Sequence, residues 1–353
     1  MLSGINMPTA TGKQLTIILG AGASHDCGDK NTAAQVNDDY RPPLAKDIFA
    51  RRFDGILNRY PAITARLDEL RTQLSENGNF EQIFRTLLES AARHQKFWPL
   101  LLPVYLRELF WSISLDYMQG SSKFDTLVRR ILESSFEEVM FINLNYDLFL
   151  EDALENYEHQ QFLNLDSYVP SAKKWRYVKL HGSVNWARIL ENCPSDSSGW
   201  FFPSQLQEMP VFSPELRLVM WNRHSGDFYI PGGVPRGYLY PQVVVPTDKP
   251  KNFVCPESHA MRARTFVQSC QHFLVIGFSG RDEDVMGLLR NTPSDSHWAI
   301  VSRGDARAIS RRFVSAVPTL KSKKTRWACY DKGFSRFVSD KLFGQFCKAD
   351  FDG

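Results

Sequence analysis

The stretch Leu15-Thr16-Ile17-Ile18-Leu19-Gly20-Ala21-Gly22-Ala23-Ser24 decides the fold of this chain of 353 residues. Five strand-forming residues run directly into two glycines, and the residues after them are expected to begin a helix. Glycine has no Cβ, so the chain can turn tightly here and bring backbone N–H groups close to an anion. The full GxGxxG pattern is absent, because His25 takes the place of the third glycine. By itself, GxG therefore indicates either a dinucleotide site or a simple turn.

Short apolar runs recur along the chain and alternate with helical patterns. Strands that are buried on both faces are nearly continuously apolar, and helices between such strands favour a parallel sheet. The sequence therefore predicts an α/β fold with a Rossmann-like, doubly wound parallel sheet. The predicted strands are 15–19, 139–144, 177–180, 243–245, 273–278, 297–302 and 325–330, and the predicted helices include 147–157, 282–290 and 306–314.

Two segments interrupt this alternation within what we predict to be one domain, 1–353. Residues from about 44 to 135 have helix-period apolar spacing and no strand-like run, which predicts an inserted helical module. Its most buried helix should be 97–115, broken near Pro103. Residues from about 193 to 237 mix prolines and aromatics with polar residues, which predicts a long irregular loop or lid.

Charge and hydropathy exclude several classes of protein. Forty-two basic and 39 acidic residues leave a net charge of +3, which does not indicate direct binding of nucleic acid or anionic lipid. No apolar run is long enough to span a membrane, and the run 15–19 is too short for a signal peptide. The one local run of like charge indicates either a solvated loop or a phosphate or partner contact. Its members are Lys321, Lys323, Lys324 and Arg326.

The six cysteines include no CxxC pair, which excludes a zinc ribbon or a thioredoxin motif. Widely separated cysteines in a long chain are typical of reduced thiols, so we expect a cytoplasmic protein. We also expect no bound metal, and no loss of activity in the presence of a chelator.

Polar residues follow two later strands, at the edge where doubly wound sheets bind ligands. Asn145 follows strand 139–144, and its amide could hold a ribose hydroxyl or a water. Asp147 could cap the next helix. His181 follows strand 177–180, and an imidazole with an unperturbed pKa of about 6.5 is a natural general base at neutral pH, although a lone histidine is more often structural.

A fourth turn, Gly277-Phe278-Ser279, follows strand 273–278 and ends at the same edge of the predicted sheet. Asp282 or Asp284 could cap the helix after it. With this turn, four strand ends carry glycine or polar residues that should gather at one site.

Taken together, the GAGAS, Asn-Tyr-Asp, Leu-His-Gly and Gly-Phe-Ser turns resemble the sirtuin superfamily. Their order over about residues 15–302 is most similar to bacterial sirtuin-like NAD-cleaving proteins of anti-phage defence. The resemblance implies that Asn145 and His181 are catalytic and that Asp147 lies near the ribose. It also implies that the glycine turn holds the NAD pyrophosphate and that the later Gly-x-Ser turn contacts the nucleotide. The residues it assigns to NAD are Gly20, Ala21, Gly22, Ala23, Ser24, Asp147, Gly277, Phe278 and Ser279.

Departures from the protein-deacylating branch narrow the implied activity. That branch carries paired CxxC motifs and a GIPDFR-type segment, both absent here, and has Asn-Ile-Asp where this chain has Asn-Tyr-Asp. The resemblance therefore implies hydrolysis of NAD to nicotinamide and ADP-ribose. The alternatives are an NAD-dependent deacylase or ADP-ribosyltransferase, and a non-catalytic sensor of NAD or ADP-ribose. A dehydrogenase fits poorly, because the acidic residues Asp38 and Asp39 follow no clear second strand.

An NAD hydrolase must be restrained in its own cell, and nothing in the sequence resembles a sensor of nucleic acid or phage. Standalone sirtuin-like chains of about this size resemble the partner of HerA-type ring ATPases. We therefore expect a homo-oligomer larger than a dimer and such an ATPase as partner, with a short Argonaute or another sensor as the alternative.

Overall fold

A computed structural model describes the chain in segments. They are residues 13–28, 41–77, 83, 86–90, 98–117, 122–159, 161–191, 199–200, 210–221, 228–230, 237–243, 253–340, 343–344 and 346. The acidic pair Asp38 and Asp39 and the cysteines Cys193 and Cys347 lie outside them. Of the described cysteines, Cys27, Cys255 and Cys270 are buried and Cys329 is half-buried, and all four are free thiols.

The strands are β1 (Gln14–Leu19), β2 (Glu138–Asn143), β3 (Trp175–Lys179), β4 (Gly182–Ile189), β5 (Arg217–Leu218), β6 (Met220–Trp221), β7 (Phe228–Tyr229), β8 (Leu239–Val243), β9 (His272–Ile276), β10 (His297–Val301) and β11 (Arg326–Tyr330). Six of them form one parallel sheet in the order β11-β10-β9-β1-β2-β3. The chain leaves β1, adds β2 and β3 on one side, and later adds β9, β10 and β11 on the other. This order confirms the predicted doubly wound α/β fold, and the reversal beside β1 is its topological switch point.

The helices are α1 (Ala21–His25), α2 (Asp54–Leu57), α3 (Pro61–Thr64), α4 (Leu67–Asn77), α5 (Leu102–Tyr117), α6 (Lys123–Leu132), α7 (Phe149–Glu158), α8 (Glu257–Ser269), α9 (Glu283–Leu288), α10 (Ala306–Ala316) and α11 (Phe334–Ser339). The helices predicted after β2, β9 and β10 correspond to α7, α9 and α10. One detail differs: Leu148, not Asp147, is the N-cap of α7. Asp282 caps α9 as expected, through bonds of 2.9 Å from the N–H groups of Asp284 and Val285 to its Oδ1.

The described residues between β1 and β2 contain helices α1 to α6 and short 3-10 turns, and the only strand-like pairing there is the isolated bridge Gly28–Ser122. The expected break near Pro103 takes another form. A 3-10 segment, Trp98–Leu101, runs directly into α5, and Pro103 lies in the first turn of α5. A proline there loses no helical hydrogen bond, so the change of helix type precedes it.

A second, antiparallel sheet lies outside the parallel one, in the order β5-β4-β8, and β6 pairs with β7. The strand predicted at 243–245 is therefore corrected. It ends at Val243, pairs with β4, and is not part of the parallel sheet, while 244 and 245 lie outside the described residues. Within the predicted loop 193–237, the described parts include the short strands β5, β6 and β7. None of the helices in the described part of the chain is both long and apolar enough to cross a membrane.

Candidate functional site

A cleft of about 700 Å³ opens at the carboxyl edge of the parallel sheet, at the switch point beside β1. Its size suits a cofactor-sized ligand. The turns after β1, β2, β3, β9 and β10 all contribute to its wall. The predicted residues that line it are Gly20, Ala21, Gly22, Ser24, Asn145, Asp147, His181, Gly277, Phe278 and Ser279. Ala23 is fully buried instead.

The glycine turn and the turn after β9 interlock. The N–H of Gly20 donates to the carbonyl of Ile276, and that of Gly22 to the carbonyl of Gly277, both at 3.0 Å. A Cβ on Gly22 would lie 2.9 Å from the Cα of Gly277. The N–H of Ala23 also donates to the carbonyl of Gly20, at 2.8 Å, so three N–H groups of the turn are already engaged. Cationic side chains that the sequence did not single out line the cleft as well. These are Lys46, Arg281 and Arg303.

Asn145 is buried and ties the turn after β2 to the glycine turn. Its amide nitrogen donates to the carbonyl of Gly20 at 3.1 Å and to the hydroxyl of Ser24 at 2.8 Å. Its backbone N–H donates to the side-chain oxygen of Asn143 at 3.0 Å. With the amide nitrogen in these bonds, the amide oxygen is the atom that could act on a ligand.

His181 pairs with a carboxylate that the sequence indicated only as a helix cap. Its Nε2 lies 3.0 Å from Oδ2 of Asp282, and both side chains are buried, with 6% and 10% exposed. Burial by itself would raise the pKa of Asp282, but the hydrogen bond and charge of His181 and the N–H groups of Val285 and Asp284 hold it below its ordinary value. Asp282 is therefore an ionised partner that fixes one ring nitrogen of His181.

Asp147 is a buried carboxylate at the floor of the cleft, 1% exposed. Its Oδ1 accepts a long bond of 3.4 Å from the N–H of Phe149, and Oδ2 has no partner of normal geometry among the described residues. Burial raises the pKa of Asp147 to about 6, although the charge of Lys179 and the Ser24 hydroxyl both lower it. Such a group titrates close to neutral pH.

Beneath this turn lies a fully buried lysine, Lys179. Its ammonium donates to the carbonyls of Tyr146 and Asp147 and pairs with Glu151 at 2.9 Å. Glu151 also accepts a bond of 2.8 Å from the hydroxyl of Tyr177. The network holds the Asn145–Asp147 turn in place. Its signal in the sequence is a lysine in the predicted strand 177–180, whose other residues are aromatic or aliphatic.

Among the described residues, no group of three or more His, Cys, Asp or Glu side chains could hold a metal ion. The expectation of a metal-free protein stays a prediction. The basic cluster Lys321, Lys323, Lys324 and Arg326 is exposed, and it leads into β11, which begins at Arg326.

No protein-family model matches this chain, and no curated protein matches it. Solved structures of Sir2 proteins are similar in fold. Sir2Tm bound to a propionylated peptide is 13% identical, with a TM-score of 0.36, and 94% of this chain and 92% of that one are covered. A Sir2 homologue in complex with NAD is 13% identical, with a TM-score of 0.37 and coverage of 97% and 92%. A mutant Sir2 homologue in complex with ADP ribose is 14% identical, with a TM-score of 0.40 and coverage of 97% and 94%.

The strand order and the position of the cleft define the class: a doubly wound α/β protein with a ligand cleft at its switch point.

Proposed function

We propose that this protein hydrolyses the bond between nicotinamide and ribose in NAD⁺, releasing nicotinamide and ADP-ribose. The observation that carries the proposal is the His181–Asp282 pair at 3.0 Å inside the cleft. A histidine oriented by a buried carboxylate, next to a turn that can take a nucleotide, is a typical arrangement for general-base chemistry.

The proposed reaction has two chemical steps, the loss of nicotinamide and the addition of water. The glycosidic bond breaks with its electron pair going to nicotinamide, which leaves as a neutral molecule, and the sugar develops oxocarbenium character. Water then adds to the sugar carbon and loses one proton. NAD⁺ and water thus give nicotinamide, ADP-ribose and a proton.

His181 is the group that takes this proton in our proposal. Because Asp282 accepts from Nε2, the ring favours the tautomer with its proton on Nε2 and its basic lone pair on Nδ1. Nδ1 then accepts from the attacking water or from a ribose hydroxyl. The amide oxygen of Asn145 orients the same water or hydroxyl.

Asp147 supplies electrostatic stabilisation. Its carboxylate is buried, and Oδ2 has no hydrogen-bond partner of normal geometry among the described residues. When ionised, it therefore places a negative charge near the positive sugar in a low-dielectric setting. The nicotinamide ribose in this arrangement lies beside Asn145 and His181, the pyrophosphate beside the glycine turn, and the adenosine toward β9 and β10.

The cellular role we propose is that of an effector of anti-phage defence that depletes NAD in the cytoplasm. The order of the four turn motifs in the sequence supports this role. Restraint before infection would come from self-association and from a partner such as a HerA-type ATPase.

Product analysis tests the activity. The chain is incubated with NAD⁺ and an acylated peptide, alone and with its genomic partner, and the products are separated by chromatography and mass spectrometry. We expect free ADP-ribose and nicotinamide in equal amounts, with the peptide unchanged. Acylated ADP-ribose would identify a deacylase, ADP-ribosylated protein a transferase, and bound but intact NAD⁺ a sensor.

A further inference from the structure

The end of the cleft over β10 differs in charge from the end that holds His181. Among the described residues that line the cleft, the carboxylates are Asp147 and Asp282. Asp282 pairs with His181, and Asp147 follows β2, which lies on the other side of β1 from β9 and β10. The turn after β10, Ser302-Arg303-Gly304, lines the opposite end with a guanidinium instead.

The stem of Arg303 is packed there, while its side chain as a whole is 56% exposed. Its stem packs so closely on Gly333 that a Cβ on that glycine would lie 2.6 Å from its Cγ. Its Nη1 lies 3.8 Å from Asp26, whose other oxygen accepts from the N–H of Ser335 at 3.3 Å. A guanidinium carries five donors, so one long ion pair leaves donors for a ligand.

Other basic side chains lie near this end. His25 lines the cleft, and burial lowers its pKa, the hydrogen bond to the carbonyl of Pro42 raises it, and the charges of Arg41, Arg303 and Arg52 lower it again. The apolar side chains of Ile309 and Phe334 lie along the same wall, where a flat base could rest. This end therefore suits a base beside a bound anion.

A dinucleotide placed as in our proposed function would reach this end with its adenosine. Sites that select NAD over NADP place a carboxylate on the adenosine ribose 2′-hydroxyl, whereas an arginine accommodates the 2′-phosphate. We propose that the cleft accepts NADP⁺ as well as NAD⁺, with Arg303 binding the 2′-phosphate. The inference rests on the proposed function for the orientation of the dinucleotide.

Equilibrium binding of the two stable products tests the inference independently of catalysis. Binding of ADP-ribose and of ADP-ribose 2′-phosphate is measured by calorimetry on the full chain at about 0.15 M salt, where exposed charges are screened as in a cell. We expect the phosphorylated form to bind at least as tightly as ADP-ribose. Arg303→Glu should weaken only the phosphorylated form, by about 10- to 100-fold, the usual effect of a charge-assisted bond.

Arg311→Glu is the matched control. Arg311 is exposed on α10 and lines a separate groove with Arg307 and Trp327. The Arg311→Glu substitution makes the same change of charge outside the cleft. It should change the affinity for ADP-ribose and for ADP-ribose 2′-phosphate by no more than about threefold. Thermal unfolding confirms that both variants fold.

Rejection of the 2′-phosphate by the wild type, or equal loss of both ligands in Arg303→Glu, overturns the inference, as does failure of both ligands to bind. Nicotinamide release from NAD⁺ and NADP⁺ separates it from the proposed function. Cleavage of NAD⁺ with exclusion of NADP⁺ leaves the proposed function standing and removes this inference. If both products bind as expected but neither dinucleotide is cleaved, this inference stands and the proposed function is removed.

Discussion

Asp282 uses its two carboxylate oxygens for two different tasks. Oδ1 caps α9, and Oδ2 holds His181. Asparagine is an equally good cap, so Asp282→Asn should cost less than about 1 kcal/mol of stability. It should lower the rate of nicotinamide release about 10²-fold or more, because an amide does not hold the same tautomer of the imidazole.

Asp305→Asn is the matched control, since Asp305 caps α10 with a bond of 2.8 Å from Ala308 and does not line the cleft. Steady-state kinetics measure the rate of nicotinamide release for both variants. A rate for Asp282→Asn equal to that of the control would show that the His181–Asp282 contact is structural only.

The raised pKa of Asp147 predicts that the protein loses stability as the pH rises. Burial raises its pKa from 3.8 to about 6, so between these values the folded protein keeps a proton that the unfolded chain has lost. Stability from this group is therefore fully present below pH 3.8 and falls as pH rises to about 6, by about 2–3 kcal/mol. In Asp147→Asn this loss should disappear.

Urea unfolding at pH 4 and at pH 7 measures the effect. The free energy of unfolding of Asp147→Asn should rise relative to wild type between the two values. The exposed Asp68 on α4 gives the control, Asp68→Asn, which should follow the wild type. The same pH dependence in wild type and Asp147→Asn would mean that Asp147 is not held in a desolvated site.

At the scale of elements, two turns fit together only because each has a glycine. Gly277 has a φ of +65°, and a Cβ there would lie 2.1 Å from the nitrogen of Ala23. Gly277→Ala should therefore separate the turn after β9 from the glycine turn, with a loss of several kcal/mol of stability and of nucleotide binding. Gly287 on α9 has open space around it, so Gly287→Ala should be neutral or slightly stabilising. Chemical unfolding and binding of ADP-ribose are measured for both variants. Equal losses in Gly277→Ala and Gly287→Ala would show that the two turns do not depend on Gly277 to fit together.

The central strands could be predicted because each is buried on both faces, as β1 and β9 are, and local sequence alone marks them. β4 was missed and β8 misplaced for the opposite reason. They pair antiparallel in a smaller sheet, where register depends on distant partners. In the same way, His181 and Asn145 could be found from strand ends, but the partnership of His181 with Asp282 depends on how the turn after β9 folds. Lys179 and Arg303 take their positions from tertiary packing too.

At the scale of the whole molecule, the proposed activity requires control. We predict a homo-oligomer larger than a dimer that binds a HerA-type ATPase, because an unrestrained hydrolase would exhaust the NAD of its own cell. Light scattering at micromolar concentration, with and without the ATPase, measures the assembly, and a nicotinamide assay on the same samples measures its effect. A monomer with full activity on its own would contradict this prediction.

The most direct test of the central claim is nicotinamide release from NAD⁺ by the wild type and by His181→Ala, each with its activating partner present. If His181 is the general base, the variant should lose about 10²- to 10⁴-fold in rate, and Asn145→Ala should lose a similar factor. The exposed His159 has a positive φ of 51°, which asparagine tolerates, so His159→Asn is the control and should keep wild-type activity. Full activity in a correctly folded His181→Ala protein would contradict the account.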